Sequence, residues 1–471
     1  MKRFNLIWIF GVAKKNKTPP LCGVFYEKNM QNIRTSEEVF PPNGQPTYSY
    51  VSRQFENEYG IKESREELLK KALKEKGMVI SIAGPSKSGK TALVHKVAAD
   101  INRTIIKVSG IDLDDEDDFW SIVSKKSGMP LERKIGNSET NGHSLKVATG
   151  LKAGIPGLQS DIKIEGEDKG EQKSEQHMTH GKWTSDEVSD FIKSKNGILL
   201  IDDFHYTSQE KQKKIAKIIK HAAENNDLKI CVAQIIHKGD AAIRANPDLD
   251  GRIFRLDFQY WSQEDLKQIG SAFNELNVEV SDDVIEFLAK EAAGSPQLMQ
   301  RFCKNLCDLN NIEDNNHPKL KIAPNSLADL DKVFISGMQN VNKSSLLKEI
   351  EQGLPPKGKK RGLYETFSGE MIDVYECCIL AITLDPPKME LTINEINERA
   401  TKSIKGKRPT KQSLGKTLKR IAGIADKAAA KSNNGMKFID VEEDATFHFI
   451  DPYFFYFARW NPKYYKRRRR S

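Results

Sequence analysis

Met78-Val-Ile-Ser-Ile-Ala83, then Gly84-Pro-Ser-Lys-Ser-Gly-Lys-Thr91, then Thr91-Ala-Leu-Val-His-Lys-Val-Ala-Ala99 is the stretch on which the reading of this chain turns. The first segment has the apolar run of a buried strand, and the last has the spacing of an amphipathic helix. Between them Gly84, Pro85, Ser86, Lys87, Ser88, Gly89, Lys90 and Thr91 fit the pattern G-x-x-x-x-G-K-[ST]. In the order strand, loop, helix, the loop's N–H groups wrap an anion at the positive end of a helix dipole. Gly84 and Gly89 allow close backbone approach to phosphate, Lys90 neutralises the β- and γ-phosphates, and the Thr91 hydroxyl ligates Mg²⁺. A surface Gly/Ser turn needs neither the strand before it nor the helix after it. The expected ligands are therefore ATP or ADP with Mg²⁺.

Downstream, Thr104-Ile-Ile-Lys-Val-Ser109 reads as a second strand, and the acidic turn from Asp112 to Asp118 starts a helix. Gly197-Ile-Leu-Leu-Ile-Asp-Asp203 carries the second chemical signal. Four apolar residues in a row suit a central parallel strand, and two carboxylates at its C-terminal end fall where such sheets present ligands. Asp202 is the candidate for the Mg²⁺ shell, and Asp203 for orienting and polarising the attacking water. A helix from Ser208 to Asn225 and a strand from Leu228 to Ile236 follow, with Gln234 or His237 as a strand-end polar group able to sense the γ-phosphate. Arg252, ahead of a fifth strand from Ile253 to Phe258, is either a solvated residue or an arginine finger for a neighbouring subunit's nucleotide.

Composition bounds the rest. At 471 residues the chain exceeds a single core, and 38% apolar with 30% charged residues describes a soluble globular protein. No run reaches the ~18 apolar residues that span a bilayer. Six cysteines at these spacings form neither a disulfide framework nor a zinc site, so buried thiols in a reducing, cytoplasmic setting are expected. From Pro355 onward, 24 Lys and Arg face 14 Asp and Glu, so the whole net charge of +9 belongs to the C-terminal part. That asymmetry makes double-stranded DNA the first partner to consider there.

Residues 1–50 read as a poorly ordered leader, with Met30 an alternative start and a membrane-surface anchor the minority reading. Residues 51–260 read as a nucleotide-binding α/β domain that opens on a charged helix from Val51 to Lys76 and carries an insertion at about 131–184. Residues 261–350 read as a helical lid and connector. In 351–471, a Pro-stiffened basic linker precedes helical patterns over Met371–Thr383, Thr392–Ser403 and Thr410–Ala428, then alternating strands over Lys437–Val441 and Thr446–Ile450. Three helices and a hairpin make a winged helix, whose third helix would place Lys411, Lys416, Lys419 and Arg420 in a major groove; the alternative is a domain that docks protein. The aromatic run from Asp451 to Trp460 is expected to pack across the wing, and Lys463–Arg470 to be a basic tail for phosphate contacts.

In its order of parts the chain resembles the AAA+ superfamily: phosphate loop, acidic strand end, polar strand end, arginine before the last strand. Trp261-Ser-Gln-Glu-Asp-Leu-Lys-Gln-Ile269 and Gly294-Ser-Pro-Gln-Leu-Met-Gln-Arg301 look like lid helices. The likeness is to initiator-type and signal-transducing ATPases, the origin-recognition and archaeal ATPase groups, over about residues 51–310. It implies a parallel five-stranded sheet with a helical lid, a C-terminal winged helix, ATP hydrolysis and assembly into homo-oligomers or with a protein partner. Origin-recognition proteins generally carry an arginine where this chain has Gln297. A Gly-x-Pro there resembles signal-transducing ATPases, whose lid proline packs on bound ADP, which gives Pro296 that role and favours a slow switch. Arg301, one turn on, is expected to face solvent.

Overall fold

The computed structural model describes residues 33–470 except 57–59, 61, 116–117, 131–133, 136–178, 181, 236–250, 324–326, 339–340, 342, 356–357, 359 and 432–436. Nearly all of the insertion, His237 and the first 32 residues lie outside the described residues.

Five parallel strands form the central sheet: β1 (Val79–Ala83), β2 (Thr104–Ser109), β3 (Gly197–Asp202), β4 (Ile230–Gln234) and β5 (Ile253–Asp257), in the order β2-β3-β4-β1-β5. Every residue of β1, β3 and β4 is buried, as strands covered by helices on both faces must be. The expected five strands are the five observed. Two cores form, one on each face. One packs β2, β3 and β4 side chains against a helix at Phe119–Ser127 and others, and the second packs Ile80, Ile82 and Leu200 against the phosphate-loop helix. Register brings Ala83 beside both Gln234 and Asp257, and Ser109 beside Asp202, so all the C-terminal strand ends share one edge.

The helices around the sheet begin where the sequence supplies caps. The first is α1 (Ser36–Val39), and α2 (Arg65–Ala72) starts at a Ser64/Glu67 capping box. The helix expected over 51–76 is thus shorter; Gln54–Glu56 and Lys62–Ser64 form a hairpin ahead of it, with Gly60 in the left-handed region at the turn. The phosphate-loop helix is α3 (Lys90–Asp100), followed by α4 (Phe119–Ser127) capped by Asp118, α5 (Ser185–Ser194) capped by Thr184, and α6 (Gln209–Asn226).

The lid follows β5: α7 (Gln263–Gly270), capped by Ser262, then α8 (Asp282–Glu291) and α9 (Pro296–Leu309), capped by Ser295. Residues 33–50 do not behave as a leader. Val39 and Phe40 are fully buried in the lid core, with Phe40 and Phe273 ring centroids 4.6 Å apart. Two apolar residues in an otherwise polar stretch give too little periodicity to predict that docking. Two more helices, α10 (Leu327–Gly337) and α11 (Ser344–Gln352), lead to the C-terminal part.

There α12 (Val374–Thr383), α13 (Ile393–Ser403) and α14 (Lys411–Lys431) occupy the three expected segments. A short strand β6 (Glu390–Leu391) lies between α12 and α13, with β7 (Ile439–Val441) and β8 (Phe447–Phe449) after α14, in the sheet order β6-β8-β7. The extra strand is two residues long, too short for alternation to reveal. The aromatic run is α15 (Pro452–Trp460), and the basic tail is α16 (Pro462–Arg470). Phe454 and Phe455 pack across the hairpin on Phe449, whereas Tyr456 and Trp460 pack on the lid side against Phe302 and Phe334. The tail is not a free polycation: Arg467 binds Glu370 and Glu376, Arg469 binds Asp331, and Lys463 binds Glu351 and Glu376.

Lid and C-terminal elements share one continuous core, crossed by a buried Arg459–Glu291 ion pair that the half-exposed Asp385 joins. Arg459 Nε and Nη2 donate to the two Glu291 carboxylate oxygens at 2.7 and 2.6 Å, Nη2 also to Asp385 at 2.7 Å, and Nη1 to the Thr383 carbonyl at 2.5 Å. Trp460 Nε1 donates to Glu291 at 3.0 Å. Removing one partner of such a pair strands a charge away from water. Arg459→Ala should therefore lose about 3–5 kcal/mol in urea unfolding followed by tryptophan fluorescence, and Arg459→Met with Glu291→Leu should recover most of it. An Arg459→Ala protein as stable as the parent would contradict this.

Candidate functional site

At the C-terminal edge of the sheet, the loop between β1 and α3 faces the end of β3. Gly84 is required by close approach: a Cβ there would lie 2.4 Å from Phe258 Cβ. Gly89 precedes α3 in the left-handed region, φ +99°, which turns the loop into the helix. Lys90 is buried, and its ammonium donates to the carbonyls of Gly84 at 3.0 Å and Pro85 at 2.6 Å. Burial pushes it down to about 8, against the opposing pull of Asp203 and Asp202.

Thr91 Oγ1 donates to both Asp202 oxygens, at 3.1 and 3.0 Å. This contact joins the loop helix to the acidic strand end across 111 residues of sequence. Lys107, on β2, completes the cluster with Nζ 2.6 Å from Asp202 Oδ2. Asp203 turns out of the strand at φ 55°, its N–H donating to Asp202 Oδ1 at 3.1 Å. Its carboxyl opens to the cleft yet is hemmed in by protein, and that loss of hydration, with Asp202 beside it, raises it above its ordinary value. Burial likewise holds His205 down at about 4, so its imidazole is neutral at physiological pH.

The cleft encloses about 310 Å³ and is closed by two further parts of the chain. One is the stretch Pro41–Pro46; the other is the lid, with Trp261, Pro296 and Gln297. Trp261 Nε1 donates to the Ser88 carbonyl at 2.9 Å, and its backbone N–H to Gly294 O at 3.0 Å, so one residue ties the phosphate loop to the lid motif. Arg53 stacks on Trp261 at 4.7 Å and pairs with Asp265 at 3.2 Å. Gln297 Nε2 donates to Pro42 O at 2.8 Å. Arg301 does not face solvent as expected; it is half-buried, 5.9 Å from the Tyr453 ring.

The structure therefore brings together Gly84 to Thr91, Asp202, Asp203 and Pro296. It places Arg252 elsewhere: its carbonyl accepts from Val79 N, at the start of β1 on the opposite edge of the sheet, and its half-exposed side chain pairs with Glu224 at 2.8 Å. Arg252 is out of reach of its own cleft. Lys411, Lys416, Lys419 and Arg420 lie on the exposed face of α14, with Lys419 Nζ donating to Glu443 O at 2.8 Å. Trp261, Arg53 and Lys107 were missed as site residues. Lys107, a polar position on an alternating strand, carried a signal; the two stacked residues meet only in the fold.

Among the described residues, no cluster of three or more His, Cys, Asp or Glu is arranged to hold a metal, and no helix is long and apolar enough to cross a membrane. Cys231, Cys303, Cys307, Cys377 and Cys378 are free thiols in the core.

Sheet order, phosphate loop, acidic strand end and a helical lid after the fifth strand together make the AAA+ P-loop fold. No protein-family model and no curated protein matches the chain. Among solved structures it is similar to Cdc6p from Pyrobaculum aerophilum, at 11% identity over 92% of this chain and 99% of that one, with a TM-score of 0.38. It is similar to the Aeropyrum pernix Orc1 protein, solved in complex with DNA, at 13% over 92% and 98%, TM-score 0.39. It is also similar to the Thermotoga maritima RuvB Holliday junction branch migration motor, at 13% over 82% and 91%, TM-score 0.34. At such scores the assignment of fold rests on the chain's own topology.

Burial holds Lys90 down at about 8, and a phosphate beside it would raise it by favouring the ammonium. Affinity for ADP should then be flat at lower pH and fall as pH rises past about 8, by at most about tenfold per unit, in calorimetric titrations. Affinity that is constant or rising through that window would contradict the assignment.

Proposed function

We propose that the chain binds and hydrolyses ATP as a molecular switch and associates with double-stranded DNA through its C-terminal helices. The observation that carries the nucleotide half is the Thr91–Asp202 contact beside Lys90, at the one sheet edge where strand ends and a helix N-terminus converge. Thr91 Oγ1 and the Asp202 carboxylate are hard oxygen donors already adjacent, which fits Mg²⁺; bound there, the ion would neutralise charge on the β- and γ-phosphates. The loop N–H groups and Lys90 hold the phosphates, Pro296 and the 41–46 stretch close over the nucleotide, and Asp203 orients water toward the γ-phosphorus. A carboxylate raised above its ordinary value is the better proton acceptor for that step. In this reading Arg252, which pairs with Glu224 away from its own cleft, reaches a neighbour's nucleotide in a homo-oligomer.

Support for DNA comes from the helix order α12, α13, α14 with a β6-β8-β7 sheet, the topology of a winged helix, and from the exposed basic face of α14. The turn before it adds exposed Lys405, Lys407 and Arg408. A second reading, a signal-transducing switch whose winged helix docks protein, is favoured by Gln297. Its neutral amide is engaged by Pro42 O, so the lid supplies no charge there to drive rapid turnover.

In phosphate-release assays Asp203→Asn should retain ADP binding and lose about 10²–10⁴-fold in turnover, while Lys90→Ala loses both. Unchanged turnover in Asp203→Asn would leave a nucleotide-binding scaffold. Lys416→Ala and Arg420→Ala should each weaken duplex binding on any sequence and reduce the slope of log affinity against log salt by about 0.9 per contact. No binding by the parent protein at any salt would remove the DNA half and favour the protein-docking reading.

A further inference from the structure

The phosphate loop contains a second lysine to which neither the loop pattern nor the fold gives a role. Lys87 sits between Ser86 and Ser88, lines the cleft and is exposed. Its backbone is in the left-handed region at φ +60°, a conformation that costs a side-chain-bearing residue about 1 kcal/mol relative to glycine. Among the described residues its ammonium forms no hydrogen bond or ion pair. Of the other cations at the cleft, Lys107 pairs with Asp202, Arg53 with Asp265 and Lys90 with two loop carbonyls, while Arg65 lies half-buried over the Phe55 and Phe258 rings with its Nε unpartnered. The lid offers the neutral Gln297. Lys87 and Asp203 line the same cleft.

We infer that Lys87 is a charge supplied in cis to the terminal phosphate of a bound nucleoside triphosphate, standing in from the loop for the cation the lid lacks. The inference rests on the nucleotide reading of the cleft. In hydrolysis the oxygen of water bonds to the γ-phosphorus, the bond to the β-bridging oxygen breaks with its electron pair leaving on ADP, and the proton of water passes to Asp203. Lys87 transfers nothing; it neutralises charge on the oxygens of the migrating phosphoryl group. A diphosphate has no group at that position, so Lys87 discriminates triphosphate from diphosphate.

The test uses the full chain. Lys87→Gly removes the charge and suits the left-handed backbone, so the loop keeps its shape, and Lys87→Arg restores a cation. Affinities for ADP and for a non-hydrolysable ATP analogue are measured by calorimetry, and hydrolysis in single turnover. Expected for Lys87→Gly are ADP affinity within about threefold of the parent, a preference for triphosphate reduced about tenfold or more, and hydrolysis slowed about 10²–10³-fold, with Lys87→Arg recovering at least about a tenth of the rate. Parent-like discrimination and turnover in Lys87→Gly would overturn the inference and leave the nucleotide reading standing. Loss of ADP binding in that variant would overturn it too, by making Lys87 a structural part of the loop. If the parent binds neither nucleotide, or Lys90→Ala binds both as well as the parent, the nucleotide reading itself fails and the inference falls with it.

Discussion

The hydroxyl of Thr91 against the carboxylate of Asp202 is the contact on which the remaining site geometry depends. It exists because β1 and β3, each buried along its whole length, are held in a single parallel sheet with β4 between them. A strand slipped by one residue would exchange the side chains of the two different cores on either face, so close packing on both faces locks the register. With the register locked, the loop after β1 and the acids after β3 must meet at one edge. Lys107, on the neighbouring strand and two residue pairs from the Ser109–Asp202 pair, is carried there by the same constraint.

The rest of the molecule is built so that this edge is felt elsewhere. Trp261 holds the Ser88 carbonyl with its indole and the Gly294 carbonyl with its backbone, so the phosphate loop and the lid cannot shift independently without breaking a hydrogen bond. Three residues before Gly294, Glu291 ends α8 and is gripped by Arg459 from α15. Asp385, in the turn after α12, joins the same guanidinium. The lid is thus attached to the C-terminal helices through a buried Arg459–Glu291 pair, and the continuous core around it resists bending at that junction.

The five strands, the phosphate loop, the acid pair and the three C-terminal helices were legible because each is a local pattern: an apolar run, a glycine spacing, a capped amphipathic segment. What stayed illegible depends on distance in sequence. Val39 and Phe40 look like two stray apolar residues until the lid is built over them. Arg467 and Arg469 look like a free polycation because their acids, Glu370, Glu376 and Asp331, lie 91 to 138 residues upstream. Arg301 was expected in solvent, and only the packing of Tyr453 from α15 places a ring beside it. The helix expected over 51–76 erred differently: charged residues with scattered apolar ones suit helix and hairpin alike, and the turn at Gly60 and the cap at Ser64 decided between them.

The most direct test of the central claim is a crystal structure of the full chain with a non-hydrolysable ATP analogue and Mn²⁺ in place of Mg²⁺. The expected result is an anomalous peak between the Thr91 hydroxyl and the Asp202 carboxylate, with the β- and γ-phosphates on the loop N–H groups beside Lys90. An ion or a triphosphate bound away from that junction, with Thr91 and Asp202 still engaged only with each other, would contradict it.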